Sequence, residues 1–189
     1  MMSQKFQNKY RISSARLQNW DYGANGTYFI TICTQYREHF FGEIIEARLI
    51  ASQLGILAEK YWLQIPEHFP YVELGNFVIM PNHVHGILII DKNASISVET
   101  RLIASLSQTI NKTGGISGDK NPMLQDNISR IIRWYKGRCS FEMRKLHADF
   151  GWQSRFHDHI IRNEKSFDTI QNYIENNPIN WNKDKFCGK

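Results

Sequence analysis

Runs of alternating or continuous apolar residues predict the strands of the chain. The first run mixes β-branched and aromatic residues with period-2 alternation, and FFGEII (40–45) follows it as a predicted extension or hairpin partner. Two further runs flank Pro81 and Asn82, so they predict antiparallel strands joined by a hairpin at that turn. The predicted strands are TYFITICT (27–34), VELGNFVIM (72–80), VHGILII (84–90) and SRFHDHIIR (154–162).

Apolar residues at helical spacing predict three helices. The first begins at Ser52 as its N-cap and ends at Pro66, and the last ends at Pro178, because proline lacks the amide hydrogen that a helix needs. The middle helix has apolar residues at 128, 132, 135, 139, 143 and 146, the stripe of an amphipathic helix. The predicted helices span residues 52–66, 128–146 and 164–177.

The order of these elements predicts the fold class. Strand, helix, strand, strand, helix, strand is the βαββαβ plan of a ferredoxin-like α+β domain, an antiparallel sheet with helices on one face. Here a C-terminal helix is added. A polar, Gly-rich excursion at about 92–127 interrupts the plan, with a short helix expected at 99–110. We expect residues 1–189 to form a single domain.

Composition indicates the setting of the protein and the class of its partner. No apolar run approaches the ~20 residues needed to cross a bilayer, so we expect a cytoplasmic protein with no membrane partner. The three cysteines lie far apart in the sequence, which favours reduced thiols. The net charge of +5 favours a polyanionic partner.

Two histidines, His83 and His85, interrupt an otherwise apolar strand. Residues i and i+2 of a strand point to the same face, so the two rings lie side by side and can converge on one metal ion. The alternative is a pair of ordinary strand histidines, one hydrogen-bonded and one solvated. His157 and His159 repeat the spacing on the predicted fourth strand, and spacing alone does not separate the two pairs.

Longer motifs around these pairs resemble a known family. MPNHVHGILII (80–90) together with WQSRFHDHIIRNEKSFDTIQNYIENNPINW (152–181) resembles the REP-associated tyrosine transposases, a group of the single-tyrosine HUH transposases. The resemblance begins near residue 11, runs to Trp181 and covers most of the chain except the Gly-rich excursion. It implies that His83 and His85 bind the catalytic metal and that Tyr173, in the terminal helix, is the nucleophile. It also places His159 and Gln153 as residues that can line the site.

Helical geometry favours Tyr173 over its strongest rival, Tyr135. Tyr135 falls within the apolar stripe of a basic helix, which is typical of a core aromatic residue. Tyr173 lies roughly 90° from the centre of its own helix's apolar stripe, at the boundary between packing and solvent. Asn177 follows one turn later on the same face, where it can be a third metal ligand or the helix C-cap.

The expected ligand set suggests the metal. Two imidazoles and an amide oxygen leave open positions for water and a phosphate oxygen, which fits Mg²⁺ or Mn²⁺ better than a closed structural zinc site. A phenol needs a Lewis acid or a base nearby to attack phosphorus at neutral pH. Transesterification conserves the energy of the ester bond, so no nucleotide cofactor is expected.

A basic face on the middle helix is the predicted nucleic-acid surface. Basic residues alternate there with aromatic ones, a composition that suits phosphate contacts and base stacking. The alternative is a solvated helix side, although the basic N-terminal segment (Lys5, Lys9, Arg11, Arg16) favours the functional interpretation. The predicted contact residues are Arg130, Arg133, Lys136, Arg138, Arg144, Lys145 and Trp134.

Together the residues and the resemblance predict a metal-dependent DNA transesterase that acts as a monomer or a homodimer. The resemblance implies a substrate of single-stranded DNA beside an imperfect palindrome folded as a hairpin, cleaved through a 5′-phosphotyrosine. A second hypothesis is a non-catalytic or domesticated module that binds DNA or RNA hairpins, because the same fold binds RNA elsewhere.

Overall fold

The computed structural model describes residues 20–93 and 126–187 as an α+β fold. Its strands are β1 (Gly26–Cys33), β2 (Gly42–Ile45), β3 (Arg48–Ala51), β4 (Val72–Met80), β5 (His83–Ile90) and β6 (His157–Ile161). Its helices are α1 (Gln53–Leu63), α2 (Ile65–His68), α3 (Ile128–Leu146) and α4 (Glu164–Glu175), with short 3-10 helices at Gln35–Arg37 and Trp181–Lys183.

Four of the strands form one antiparallel sheet in the order β4-β5-β1-β6. The two strands at its centre, β1 and β5, pair along their full lengths, from Gly26 opposite Ile90 to Cys33 opposite His83. This order, with the crossovers made by α1 and α3, is the predicted ferredoxin-like plan, which is therefore confirmed.

One face of the sheet carries the main hydrophobic core. Alternate residues of β1 and β5 point to this face, and Val84, Leu88 and Ile90 are buried there as predicted. Helices α1 and α3 pack on it, with Trp62 of α1 pressed against Gly86. A Cβ atom at Gly86 would lie 2.3 Å from the indole ring, so only glycine lets the tryptophan approach the strand this closely.

The opposite face is covered by α4. Ile174 is buried against Ile87 and Ile161, and Phe167 and Ile170 pack beside them. The helix begins at the N-cap Asn163, whose side chain accepts a hydrogen bond from the amide of Ser166. Because His83 and His85 alternate with the core residue Val84, they also point to this opposite face, toward α4.

Two details of the predicted elements are wrong. FFGEII is neither an extension nor a partner of β1, because β2 pairs with β3, a strand that the pattern did not predict, in a separate two-stranded sheet. Pro66 does not end the first helix, which stops at Leu63; it lies in the first turn of α2, where the missing amide hydrogen is tolerated.

Several expectations fall on other parts of the chain. The short helix at 99–110 and the basic N-terminal residues lie outside the described residues.

Within residues 20–93 and 126–187, none of the helices has the length and apolar character needed to span a lipid bilayer.

Candidate active site

His83 and His85 are the first and third residues of β5, which begins directly after Pro81 and Asn82. Their rings lie with centroids 4.4 Å apart, and both are buried, with relative exposures of 0% and 1%. The expected convergence of the two imidazoles is observed. A solvated surface role for either ring is excluded by this burial.

Asn82 determines the tautomer of His83. Its amide donates from Nδ2 to the carbonyl oxygens of Arg37 and Phe186, so Oδ1 is the atom that faces the imidazole. Nδ1 of His83 lies 2.8 Å from this oxygen and must carry the hydrogen, because an amide oxygen only accepts. Nε2 therefore holds the lone pair, and it is buried with no hydrogen-bond partner among the described residues.

His85 is oriented by a threonine on the neighbouring strand. Its Nδ1 lies 2.8 Å from Oγ1 of Thr31, which is directly opposite His85 in the β1–β5 pairing. Its Nε2 points to the hydroxyl of Tyr173 at 3.1 Å. A hydrogen bond through the far nitrogen is the usual way in which a protein holds a metal-binding imidazole in position.

Burial keeps both imidazoles neutral. Desolvation lowers the pKa of His85 to about 4, and it lowers the pKa of His83 well below the usual range, with the nearby His85 as the next cause. At neutral pH both rings are therefore uncharged, which is the form of histidine that binds metal ions.

Asp184 completes a cluster that can hold a metal ion. One ligand atom from each of His83, His85 and Asp184 lies within 4.8 Å of the other two. The buried and unpartnered Nε2 of His83 fits this use, since an orphaned polar atom in a buried position otherwise carries a desolvation cost. Asp184 was not predicted from the sequence, because it follows the short helix Trp181–Lys183 and shares no motif spacing with the histidines.

Tyr173 lies against this cluster. Its hydroxyl is 3.1 Å from Nε2 of His85 and 3.3 Å from Oδ2 of Asp184, and the side chain is 40% exposed, at the boundary that the helical pattern predicts. Burial, followed by the charge of Asp184, raises the pKa of the phenol to about 12. The hydroxyl therefore stays protonated at neutral pH and needs an acceptor for its proton.

Asn177 is close to the cluster and contacts one member of it, the carboxylate of Asp184. Its Nδ2 donates to Oδ2 of Asp184 at 3.2 Å, while its Oδ1 is buried with no hydrogen-bond partner in the described parts of the chain. The residue is 2% exposed. The alternative role as helix C-cap is wrong, because α4 ends at Glu175 and its C-cap is Asn176. Its expected role as a metal ligand remains a prediction.

The C-terminal segment packs over the histidine pair. The ring of Phe186 lies with its centroid 4.6 Å from that of His83, and Trp181 lies 6.0 Å from it. Phe186 is held there by its amide, which donates to Oδ1 of Asp184, and by its carbonyl, which accepts from Asn82. These contacts explain how a strand end next to a turn becomes fully buried.

The rival residues are placed elsewhere. Tyr135 is completely buried in the main core, and its hydroxyl donates to the carbonyl oxygen of Ala58 at 3.1 Å. His157 and His159 are exposed on β6, and among the residues that the structure describes the cluster that could hold a metal ion contains neither of them. His159 is nevertheless on the same sheet face as His85, because it pairs with Phe29 in the β1–β6 register.

Gln153 lies beside the strand end that carries the site. Its backbone amide donates to the carbonyl oxygen of Cys33 at 3.0 Å, and Cys33 is paired with His83. Its expected role in lining the site remains a prediction.

The predicted nucleic-acid face lies on α3, across the sheet from the histidines. Four of its charged residues are exposed, namely Arg133, Arg138, Arg144 and Lys145. Arg130 is half-exposed and forms an ion pair with Asp126, and Trp134 packs on His68 and Phe69.

Lys136 does not belong to the exposed part of this face. Its Nζ donates to the carbonyl oxygen of Gln153, and burial lowers its pKa. This ammonium ties the segment after α3 to the helix itself, so the expected phosphate contact at Lys136 is corrected. The spacing of charged residues along a helix shows which side of the helix each residue lies on. It does not show whether a carbonyl group from a distant segment binds that residue.

Comparisons with known proteins identify relatives and the fold. No protein-family model matches the chain. An uncharacterized protein of Haemophilus influenzae is 38% identical over 173 residues, which cover 91% of each chain, so this chain belongs to the same family as that protein. The solved structure of a REP-associated tyrosine transposase bound to a REP hairpin matches 88% of this chain and 73% of its own, with a TM-score of 0.56 and 18% identity. The resemblance to that transposase group is confirmed at the level of the fold.

Proposed function

We propose that this protein is a transposase-like enzyme that cleaves and transfers single-stranded DNA beside hairpin-forming palindromes. The reaction would be metal-dependent and pass through a 5′-phosphotyrosine on Tyr173. One observation carries the proposal: a protonated tyrosine hydroxyl lies 3.1 Å from a buried imidazole that belongs to a three-residue metal-binding cluster. Few structural roles require a nucleophile, two neutral imidazoles and a carboxylate at one point.

His83, His85 and Asp184 would hold the metal, with the amide of Asn177 next to them. A bound Mg²⁺ or Mn²⁺ would neutralise charge on the scissile phosphate as a Lewis acid. Imidazole and carboxylate ligands together suit Mn²⁺ well, because imidazole favours the later divalent ions and carboxylate is a hard oxygen ligand.

The chain's own residues supply the nucleophile and the proton acceptor. The hydroxyl oxygen of Tyr173 attacks phosphorus, the bond to the 3′ oxygen breaks, and the released strand ends in a 3′-hydroxyl. The phenolic proton passes to the carboxylate of Asp184, the charged acceptor that the hydroxyl faces at 3.3 Å, and from there to the leaving oxygen. A 3′-hydroxyl can reverse the reaction and join a new strand, with no net loss of ester bonds.

The position of the tyrosine supports catalysis within one chain. Tyr173 and His85 contact each other in the same molecule, which supports a site that one chain would complete without a partner. The substrate would be hairpin DNA with a single-stranded flank, held in part by the exposed arginines of α3. Such a protein would act on chromosomal DNA in the bacterial cytoplasm, with residues 1–189 as one domain.

A second candidate function is favoured by the burial of the site. His83 is completely buried with Phe186 packed on it, so a scissile phosphate would have to displace the C-terminal segment to reach a metal there. A module that binds hairpins without cutting them needs no such access. The two candidates differ in one measurable product, the covalent protein–DNA adduct.

The test uses hairpin oligonucleotides with randomised single-stranded flanks, labelled on both strand ends, with and without Mn²⁺. Wild-type protein should form an adduct that survives denaturant and releases a strand with a free 3′-hydroxyl. Tyr173→Phe should form none and should bind the hairpin as the wild type does, whereas Tyr135→Phe, the matched control in the core, should still form the adduct. Binding without an adduct in the wild type would establish the second candidate. Cleavage without attached protein would indicate a metal-activated water instead.

A further inference from the structure

Two hollows flank α4 where the helix crosses the sheet, each with a volume of about 500 Å³. Both are grooves open to solvent and not enclosed cavities, so each can admit a group from an extended ligand. The hollow on the β4 side is lined by Leu74, Gly75, Asn76, Phe77, Val78, Ile174 and Glu175. The hollow on the β6 side is lined by Phe29, His159, Lys165, Ser166, Thr169 and Ile170.

The two hollows differ in charge and in how they are closed. On the β4 side, Nδ2 of Asn76 donates to the carboxylate of Glu175 at 2.6 Å, so a polar bridge ties the helix to the strand and leaves an acid at the rim. On the β6 side the charged residue is Lys165, which is exposed, as is His159. The lining of the second hollow therefore carries a positive charge, where that of the first carries a negative one.

Phe29 connects the β6-side hollow to the candidate active site. Its ring stacks on His85 with centroids 5.2 Å apart, and it meets the ring of Tyr173 edge-on at 6.0 Å. The same ring lines the hollow. A nucleotide in the hollow would therefore be next to the residue that is proposed to attack phosphorus.

The hollow also offers a surface for a flat base. Phe29 and His159 are directly opposite in the β1–β6 pairing, which brings the Cβ atoms of such a pair to about 5 Å on one sheet face. Base stacking on aromatic rings is tolerant of base identity because every base has a π-face. Ile170 adds an apolar wall, and Lys165 stands at the rim where a backbone phosphate would lie.

We propose that the β6-side hollow binds a nucleobase of the single-stranded flank, the one adjacent to the scissile phosphate. Phe29 and His159 provide the stacking surface and Lys165 contacts the phosphate on the far side of that nucleotide. This assignment rests on the proposed function, and it gives that function a binding subsite for unpaired DNA that is separate from the basic face of α3.

The experiment measures binding of the full chain to two labelled probes by fluorescence anisotropy. One probe is a hairpin with a six-nucleotide single-stranded flank, and the other is the same hairpin with blunt ends. Thr169→Trp fills the hollow with an indole, and His159→Ala removes a stacking ring without disturbing the core. Each should lower affinity for the flanked hairpin by about 10-fold or more and leave blunt-hairpin affinity unchanged. Asp168→Ala, on the same helix but outside the hollow, should change neither.

A flanked-hairpin affinity that stays within twofold of wild type in both variants would overturn the proposal. So would an equal loss for the blunt hairpin, since the effect would then not concern the unpaired nucleotide. A flank carrying 5-iododeoxyuridine should photo-crosslink to Phe29 or His159, and crosslinks confined to α3 would refute the assignment. The adduct assay separates this result from the proposed function. If the protein forms the adduct but the hollow variants bind DNA as the wild type does, the proposed function stands and the subsite is refuted. If the hollow variants lose affinity but no adduct forms, the subsite stands and the proposed function is refuted.

Discussion

The hydroxyl of Tyr173 lies 3.1 Å from Nε2 of His85, although the two residues are 88 positions apart in the chain. The contact joins the end of α4 to the beginning of β5, on the sheet face that the main core does not use. Both partners are held independently, His85 by Thr31 on β1 and Tyr173 by the packing of its helix on Ile87 and Ile161. The geometry of the site is therefore a property of the folded sheet and α4 together.

Replacing Asp184 by Asn should weaken Mn²⁺ binding by roughly 100-fold, because the cluster loses its only charged ligand. The amide keeps the shape of the side chain and can still accept from the amide of Phe186, so the fold should be retained. Isothermal calorimetry with Mn²⁺ measures the effect, and Asp168→Asn, an exposed acid on α4, is the control. Unchanged affinity in the Asp184 variant would assign the metal to other ligands.

Replacing Asn82 by Ala should lower metal affinity by about 10- to 100-fold without touching a ligand, as expected for an orienting partner of a histidine. The variant frees Nδ1 of His83, so the ring is no longer confined to the tautomer with its lone pair on Nε2. Nitrogen-15 shifts of the labelled imidazole report the tautomer directly. Asn76→Ala removes a half-buried amide of β4 that donates to Glu175 and not to the site, so it should alter neither the shifts nor the affinity. A single retained tautomer in the Asn82 variant would show that another group orients the ring.

Metal-free protein should lose stability as the pH falls from about 6.5 to about 4. Burial lowers the pKa of His85 from 6.5 to about 4, so in this window the unfolded chain binds a proton that the native chain does not. Stability therefore rises with pH across the window, and His85 alone accounts for roughly 3 kcal/mol between its ends. Urea unfolding with a chelator present measures the slope. His85→Gln should flatten it, with the remaining dependence on His83; an unaltered slope would mean that other groups titrate.

Replacing Tyr36 by Gly should leave the protein about 1 kcal/mol more stable than replacing it by Ala, the reverse of the usual order. Tyr36 has φ of 54° and its side chain is 79% exposed, so both variants remove the same solvent-facing ring. They differ in backbone strain, which favours Gly, and in the entropy of the unfolded chain, which favours Ala by a smaller amount. Chemical denaturation compares the two. If Ala is the more stable, the residue does not adopt this left-handed conformation in solution.

Affinity for hairpin DNA should fall with salt, and the exposed arginines of α3 should account for part of the slope. Arg133→Gln and Arg138→Gln should each reduce the slope of log K against log[KCl] by about 1. Lys136→Gln is the matched control, because its ammonium is engaged by the carbonyl oxygen of Gln153; it should cost stability and leave the slope unchanged. A slope that responds to Lys136 and not to the arginines would reverse this assignment.

Local periodicity in the sequence was enough to predict four strands of the main sheet, the helices α3 and α4, and the shared face of His83 and His85. These features depend on residues that lie close together in the sequence, so a local pattern is enough to predict them. The boundary position of Tyr173 follows from the same geometry. The resemblance then selected His83 and His85 over His157 and His159, and among the described residues it is the first pair that lies in a cluster with Asp184.

The tertiary structure decided which distant groups reach that face. Asp184 enters the cluster because the C-terminal segment folds back over β5, and Lys136 leaves the exposed face because the segment after α3 passes over its ammonium. The pairing of β2 with β3 likewise depends on a turn that carries no apolar pattern. Contacts of this kind join residues far apart in the chain, and their free energy depends on burial and on partners that no local window of sequence contains.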